Sequence, residues 1–534
     1  MIRALQCLDR LRAFARTAMA VVVLTIAGCG GQQQLSSGAS APSGGGGQLF
    51  ARVLDDIGEF YIEPVSARRI ALAGAARLGR LDNRLALGEV AGGGGALALS
   101  YDDRALAYYP MPGDTDNRGW GDLLETVIAG GTQASPQLAA LPRETIEQTV
   151  LDGMTRSLDR FSRYASAEIA RDQRAAREGW GGIGITMDGT KDTFRVTAVT
   201  PHGPADRAGI RPEDQIVEIN GIATEGCVRR EVMDRLSGPV GSQVAVKVLS
   251  AGTAHRRELW LRRASVSEPT VTASRDGDIA VIRVHTFNHR TTKRVAESLA
   301  EAQRQPGGRL AGIVLDLRSN PGGVLDQAVN LADMFLRDGP VVSVVGRHPA
   351  SRQYFKASGR STAADVPLAV LINGGSASAS EIVAAALQDS GRAVVIGGSS
   401  YGKGSVQTVL RLPNNGELIL TWARLVAPSG YLLHRHGVIP TICTADLPDD
   451  ASSLATGLRR ASAGAAAGPR ALLDERSWAE LRRSCPAIRT RPAVDLALAK
   501  HLLGDPKLYA AALHALPAAT RITETAAATP RTLP

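Results

Sequence analysis

Between residues 270 and 440, short apolar runs alternate with amphipathic stretches. Ile279–Val284, Ile313–Leu317, Val341–Val345, Leu368–Ile372, Ala393–Ile396 and Glu417–Val426 have the length and content of strands. Helical spacing falls near 291–305, 324–337 and 380–389. This alternation predicts an α/β layered fold with ligands at the strand ends. Upstream, residues 48–175 read as mostly helical, with Leu54, Ile57 and Tyr61 on one face. The glycine-rich piece Gly92–Gly95 interrupts this pattern. Ala96–Ser100 and Leu106–Tyr109 read as strands of an insertion within residues 85–145, whose role the pattern leaves unassigned. Downstream, Arg470–Cys485, Ala493–Leu503 and Lys507–Leu516 read as helices before a Thr/Ala/Pro-rich tail expected to be disordered.

A length of 534 residues with 44% hydrophobic content predicts several packed domains. The formal charge is +9. Arg3, Arg10, Arg12 and Arg16 against Asp9 carry +3 of it in residues 1–28, leaving about +6 spread over the rest. No dense Lys/Arg run interleaved with aromatics appears, which argues against a nucleic-acid partner.

Residues 1–28 read as a secretory signal, an arginine-bearing start followed by the apolar run Ala18–Ile26. Ile26, Ala27, Gly28 and Cys29 resemble a bacterial lipobox, which implies cleavage before Cys29 and lipidation of its thiol. Gly30, rather than Asp, follows. The expected location is therefore the periplasmic side of the bacterial envelope, lipid-anchored, with the outer membrane favoured over the inner. Residues 29–47, rich in Gly, Ser and Gln, read as a flexible tether. An exported compartment favours disulfides. Cys443 and Cys485 both flank the C-terminal region and are the expected pair, whereas Cys227 lies in a different module.

The candidate chemistry centres on Asn373–Glu381, a turn of Asn, two glycines and small residues between a strand and a helix. Ser378 and Glu381 fit the S-x-x-E capping box. A hydroxyl at that point lies beside unpaired N–H groups at the positive end of a helix, which suits a nucleophile that must hold an oxyanion. It equally suits a simple cap, and Ser376 and Ser380 compete for the role. Lys403 follows 25 residues on, between Gly402 and Gly404, with Gln407 at i+4. A lysine between glycines is either a solvated turn or a residue around which backbone packs closely. A buried lysine can lose its proton, and Ser–Lys pairs are an established variant of serine hydrolysis. Asn320, Pro321, Gly322 and Gly323 form a strand-to-helix turn whose amides could serve as oxyanion donors. Glu381 reads as a cap or a catalytic acid. His434 and His436 form H-x-H with no third ligand at zinc spacing, so no metal and no cofactor is expected.

These stretches, with the run from Gly312 to Gly323, resemble the carboxyl-terminal processing (tail-specific) proteases of the S41 peptidase family. The resemblance spans about Thr149 to about Pro440. It implies Ser378 as nucleophile, Lys403 as general base and Gln407 as the group that orients the lysine. It implies N–H groups of Gly323 (or Gly322) and Ala379 as the oxyanion hole. It also implies a crotonase-like or ClpP-like α/β core with an inserted-type, β-rich PDZ domain, between mainly helical N- and C-terminal regions. Within that domain, Gly182, Ile183, Gly184 and Ile185 resemble the carboxylate-binding loop, where consecutive N–H groups form an anion nest. Glu213 stands where the family pattern has glycine, which leaves the local turn open.

The expected organisation is signal 1–28, tether 29–47, helical region 48–177, PDZ domain 178–263, catalytic core 264–445 and helical extension 446–534. The expected function is a serine endopeptidase that recognises apolar substrate C-termini and cleaves exported or periplasmic proteins. Expected partners are those substrates, the membrane through the lipid anchor, and an adaptor lipoprotein or a second copy of the chain. The alternative is a catalytically silent, PDZ-based peptide-binding lipoprotein. A lipid-binding relative predicts a broken Ser–Lys–Gln set, and all three residues are present.

Overall fold

The computed structural model describes residues 45–90, 95–178, 180–190, 193–253, 255–264, 270–305, 309–445, 447, 473–487 and 491–514. The expected leader, Cys29, nearly all of the tether and the C-terminal tail lie outside the described residues. The described residues fall in one compact unit.

The apolar runs of the 270–440 stretch build a sheet in the order Val271–Asp276, Ile279–Val284, Gly312–Asp316, Leu368–Ile372, Val394–Gly397, Ile442–Cys443. All pairings after the first are parallel. Leu368–Ile372 and Val394–Gly397 are buried throughout, as continuous Val/Ile/Leu runs require when both faces are covered. One face packs Ile313, Leu315 and Val370 against helices Thr291–Arg304, Leu325–Asp333 and Ala379–Asp389. The other packs Val314, Leu371 and Ile396 against Leu498, Leu502, Leu503 and Tyr509 of helices Pro492–Gly504 and Pro506–His514. The C-terminal helices thus supply the second helical layer of the core.

Two of the expected strands leave this sheet. Pro340–Gly346 and Glu417–Val426 join Gln353–Lys356 and Ser405–Arg411 in an antiparallel sheet. Arg163–Ala165 adds to Glu417–Val426 from the N-terminal region. The same region's core includes Phe50, Leu54, Ile57, Trp120, Val127 and Leu151, and it continues into Leu418 and Leu420 of that antiparallel sheet and Leu412 just beyond Ser405–Arg411. The insertion is a three-stranded meander, Leu85–Glu89, Ala96–Tyr101 and Arg104–Pro110.

A separate sheet of antiparallel strands, Ile185–Thr190, Thr193–Val199, Gln215–Ile219, Gln243–Leu249 and Arg256–Arg262, closes over Phe194, Val196, Ile216 and Val246 with helix Arg229–Leu236. Glu213 takes φ 74°, the left-handed conformation that glycine adopts freely, and its carboxylate pairs with Arg195 at 2.8 Å.

A buried ion network ties the C-terminal layer to the sheet. Arg318 forks onto Asp316 (2.8 and 2.7 Å) and reaches Asp495 (3.2 Å), which also accepts from the Thr444 hydroxyl (2.6 Å). Asp495→Ala would leave the Thr444 hydroxyl and one Arg318 N–H without partners. The expected cost is about 3 kcal/mol, read as a lowered urea midpoint with unchanged slope.

Candidate active site

Three turns meet at the C-terminal ends of the parallel strands, where α/β sheets place their ligands. Asn373 binds two of them together: its Oδ1 accepts from Gly375 N (2.9 Å) and from Ser319 N (2.8 Å). The third is joined through Tyr401 N, which donates to Ser376 O at 2.9 Å.

Ser378 is the N-cap of helix Ala379–Asp389 and sits at φ 54°, ψ −112°. A left-handed non-glycine residue costs about 1–3 kcal/mol and persists only where its surroundings fix it. Its neighbours are locked. The Ser376 hydroxyl donates to Leu317 O (2.8 Å) and accepts from Asn373 N (3.0 Å), while the Ser380 hydroxyl donates to Asn320 O (2.9 Å). The Ser378 hydroxyl makes no hydrogen bond to other described residues, so it is the free one of the three.

The amides around it divide in the same way. Gly322 N donates to Asn320 Oδ1 at 2.9 Å and is committed. Gly323 N and Ala379 N, the latter at the first helical position, have no acceptor among the described residues. Gly322 itself has φ 102°, and a Cβ there would stand 2.7 Å from Ala377 O and 2.8 Å from Ser378 Cβ. Gly322→Ala therefore pushes the elbow out of place, and kcat is expected to fall about 10²-fold, the scale of losing one oxyanion donor. Steady-state kinetics beside a melting curve checks this.

Glu381 has no exposed surface. Its carboxylate accepts from Ser378 N (2.7 Å), Lys403 N (2.9 Å), Gly402 N (2.6 Å) and the Ser400 hydroxyl (2.5 Å). Burial pushes its pKa up, and these four donors pull it back. It is neither only a cap nor an acid facing the cleft: it braces the serine's turn and the lysine's turn on one carboxylate.

Lys403 lies between glycines that close approach demands. A Cβ on Gly402 (φ 87°) would stand 3.0 Å from Arg435 O, and one on Gly404 would collide with the His434 backbone. The Lys403 ammonium is half-buried, 5.5 Å from the Phe161 ring centre, and makes no hydrogen bond to other described residues. Burial lowers its pKa most, the Arg163 charge lowers it further, and Glu381 opposes both. Ser378 and Lys403 thus share a brace without a hydrogen bond between their reactive atoms. Gln407 is not on the lysine. Its Nε2 donates to the Ser405 hydroxyl at 3.0 Å, with Thr421 Oγ1 at 3.5 Å.

Sequence reasoning missed Phe161, Arg160 and Arg163, which reach the site from the N-terminal region. The Arg160 guanidinium lies over Phe161 (4.6 Å) and Tyr401 (5.5 Å). His434 meets Phe161 edge-on at 6.2 Å, and burial drops its pKa to about 4, leaving it neutral near pH 7. His436 instead stacks on Trp478, and no metal-ligating cluster occurs among the described residues.

The expected carboxylate loop lines a groove of about 970 Å³ with Met233 and Leu236 of helix Arg229–Leu236. Gly182 N is already donated to Ala264 O (2.9 Å). Ile183 N and Gly184 N have no acceptor among the described residues, and they form the available nest. Arg171 and Asp172 of helix Ala167–Glu178 also line the groove, paired with Asp234 (3.3 Å) and Arg230 (3.2 Å). The Cys443–Cys485 disulfide is formed, with Cα atoms 5.8 Å apart.

Residues 278–444 match the family model of peptidase family S41, and residues 195–250 match a PDZ domain. A carboxy-terminal-processing protease of Bartonella bacilliformis is 36% identical over 326 residues, spanning 60% of this chain and 74% of that protein. A carboxyl-terminal-processing protease of Synechocystis sp. is 34% identical over 301 residues, spanning 55% and 69%. Among solved structures, a photosystem II D1 C-terminal processing protease is 30% identical, with a TM-score of 0.36 over 62% of this chain and 89% of that one. The S41 match contains Ser378, Lys403, Gln407 and Gly323, and it ends before helix Glu475–Ser484.

Proposed function

Because the chain belongs to peptidase family S41, the carboxyl-terminal processing proteases, and carries a PDZ domain, we propose that it is a serine endopeptidase working through Ser378 and Lys403. The observation that carries this reading is the Glu381 brace: one buried carboxylate holds the turns of both residues while the Ser378 hydroxyl and the Gly323 and Ala379 amides have no partner among the described residues. The core is of the crotonase-like or ClpP-like kind.

In this reading the PDZ groove takes the substrate's C-terminal carboxylate on Ile183 and Gly184 N–H and its apolar side chain against Met233 and Leu236. The chain lies along the cleft as an added strand. Neutral Lys403 takes the Ser378 proton as the oxygen attacks the scissile carbonyl. Gly323 and Ala379 N–H groups hold the oxyanion. The protonated lysine returns its proton to the departing amine, and water then hydrolyses the acyl-enzyme with Lys403 again as base. Gln407 supports the lysine only once its amide leaves Ser405. Because no metal or cofactor enters any of these steps, activity is expected to survive chelation. The substrates are exported proteins, and the enzyme acts from the periplasmic side of the envelope on a lipid at Cys29.

The test is cleavage of an unfolded model protein in two forms, one ending in an apolar residue and one ending in aspartate. Faster cleavage of the apolar form is expected. Equal rates would remove the PDZ groove from substrate choice. A second reading, the silent peptide-binding lipoprotein, draws on the missing Ser378–Lys403 hydrogen bond. It predicts binding of the apolar tail with no cleavage.

A further inference from the structure

Helix Glu475–Ser484 lies beyond the S41 match, yet it returns to the turn that carries Lys403. Its Trp478 stacks on His436, ring centres 4.5 Å apart, and packs on Tyr431 at 4.9 Å. One turn on, Arg482 reaches inward. Its Nη1 donates to His436 O at 2.5 Å and its Nη2 to Ser400 O at 3.1 Å. Gly437 makes room, since a Cβ there would stand 2.9 Å from Arg482 Nη1 and 2.6 Å from Ser400 Oγ. The end of the helix is fixed at Cys485, which is bonded to Cys443 and whose carbonyl accepts from the Ser399 hydroxyl at 2.6 Å.

Ser399 and Ser400, the residues that enter the Tyr401–Gly404 turn, are therefore each held by the C-terminal segment. Ser400 is also a donor to Glu381 and an acceptor from Val438 N at 2.7 Å. A buried carboxylate needs opposite charge as well as donors. Lys403 must lose its charge to act, whereas Arg482 keeps its own; Arg482 makes no direct ion pair with Glu381 but is linked to it through Ser400, whose carbonyl accepts from Arg482 and whose hydroxyl donates to the carboxylate.

We propose that Arg482, clamped by the Cys443–Cys485 disulfide, is a positioning residue of the peptidase: through the Ser400 carbonyl its permanent charge fixes the residue that donates to Glu381 and so holds the Lys403 turn against Ser378. The inference rests on the Ser378–Lys403 reading above. It assigns a role in the reaction to a segment outside the S41 match.

The experiment measures kcat and KM for a fluorogenic peptide with an apolar C-terminus, well below the melting temperature of each variant. The variants are Arg482→Met, Arg482→Lys, the pair Cys443→Ser with Cys485→Ser, and Ser378→Ala. A misplacement on the 1 Å scale costs about 10²-fold. Arg482→Met is expected to lose about that much kcat with KM within about twofold, and Arg482→Lys, which keeps the charge, to regain about tenfold. The cysteine pair variant is expected to lose about tenfold in kcat. Wild-type kcat in Arg482→Met with only a lower melting temperature overturns the proposal, as does an Arg482→Lys no better than Arg482→Met. Should Arg482→Met fail to fold, wild-type kcat in both Arg482→Lys and the cysteine pair variant overturns it. Ser378→Ala separates the two layers: if it cleaves like wild type, or if wild type cleaves nothing, the site reading and the inference fall together. If it alone is dead, the site stands and the inference fails by itself.

Discussion

Ser378→Ala is expected to lower turnover by at least about 10⁴-fold while leaving the fold and peptide binding intact. The size of the effect follows from the surroundings. The two other hydroxyls of the turn, on Ser376 and Ser380, are buried and donate to Leu317 O and Asn320 O. Neither can substitute without breaking the bonds that shape the elbow. The Ser378 hydroxyl makes no hydrogen bond to other described residues, so alanine removes no bond that holds the turn. Alanine also keeps the Ser378 N–H that Glu381 accepts. The loss should therefore fall on kcat, with stability changed by less than about 1 kcal/mol. Residual cleavage within tenfold of wild type would place the nucleophile elsewhere. A large drop in melting temperature would make the hydroxyl structural.

Lys403→Met should cost about 10²–10⁴-fold, the range of a lost general base. The variant keeps the Lys403 N–H to Glu381 and most of the side-chain volume beside Phe161. More telling is the pH profile of kcat/KM. The base must be neutral, so activity rises as pH climbs through the pKa of Lys403 in the folded enzyme. Burial, followed by the Arg163 charge, moves that pKa below the ordinary lysine value. Arg163→Ala removes one of these two influences. The pKa moves up, and the acid limb of the profile moves to higher pH with it. A limb that stays in place, or moves down, would detach Lys403 from the rate.

Much of this site is local and so was legible in the chain. The S-x-x-E spacing placed Ser378 at a helix start, and the glycines around Lys403 offered tight backbone packing as one of two readings. What escaped was set by contacts between distant segments. Ser405–Arg411 is missing from the expected strands, because its strand character comes from pairing with Glu417–Val426. Phe161 reaches Lys403 across 242 positions of chain, with no periodicity to announce it. Glu381 reads as a cap because only its bond to Ser378 is local, while Ser400, Gly402 and Lys403 arrive from the far side of a strand. The six apolar runs were right as strands but were divided between two sheets, a choice that hydrophobic pattern alone does not encode.

The second face of the parallel sheet is covered by residues 492–514, late in the chain. A polypeptide made from its N-terminus presents those helices only after the whole sheet they cover. Until they emerge, Val314, Leu371 and Ile396 face water and Arg318 lacks Asp495. The peptidase is consequently one of the last parts of the molecule to mature. A chain still being synthesised carries Ser378 on an unfinished sheet, and its site is not yet fixed.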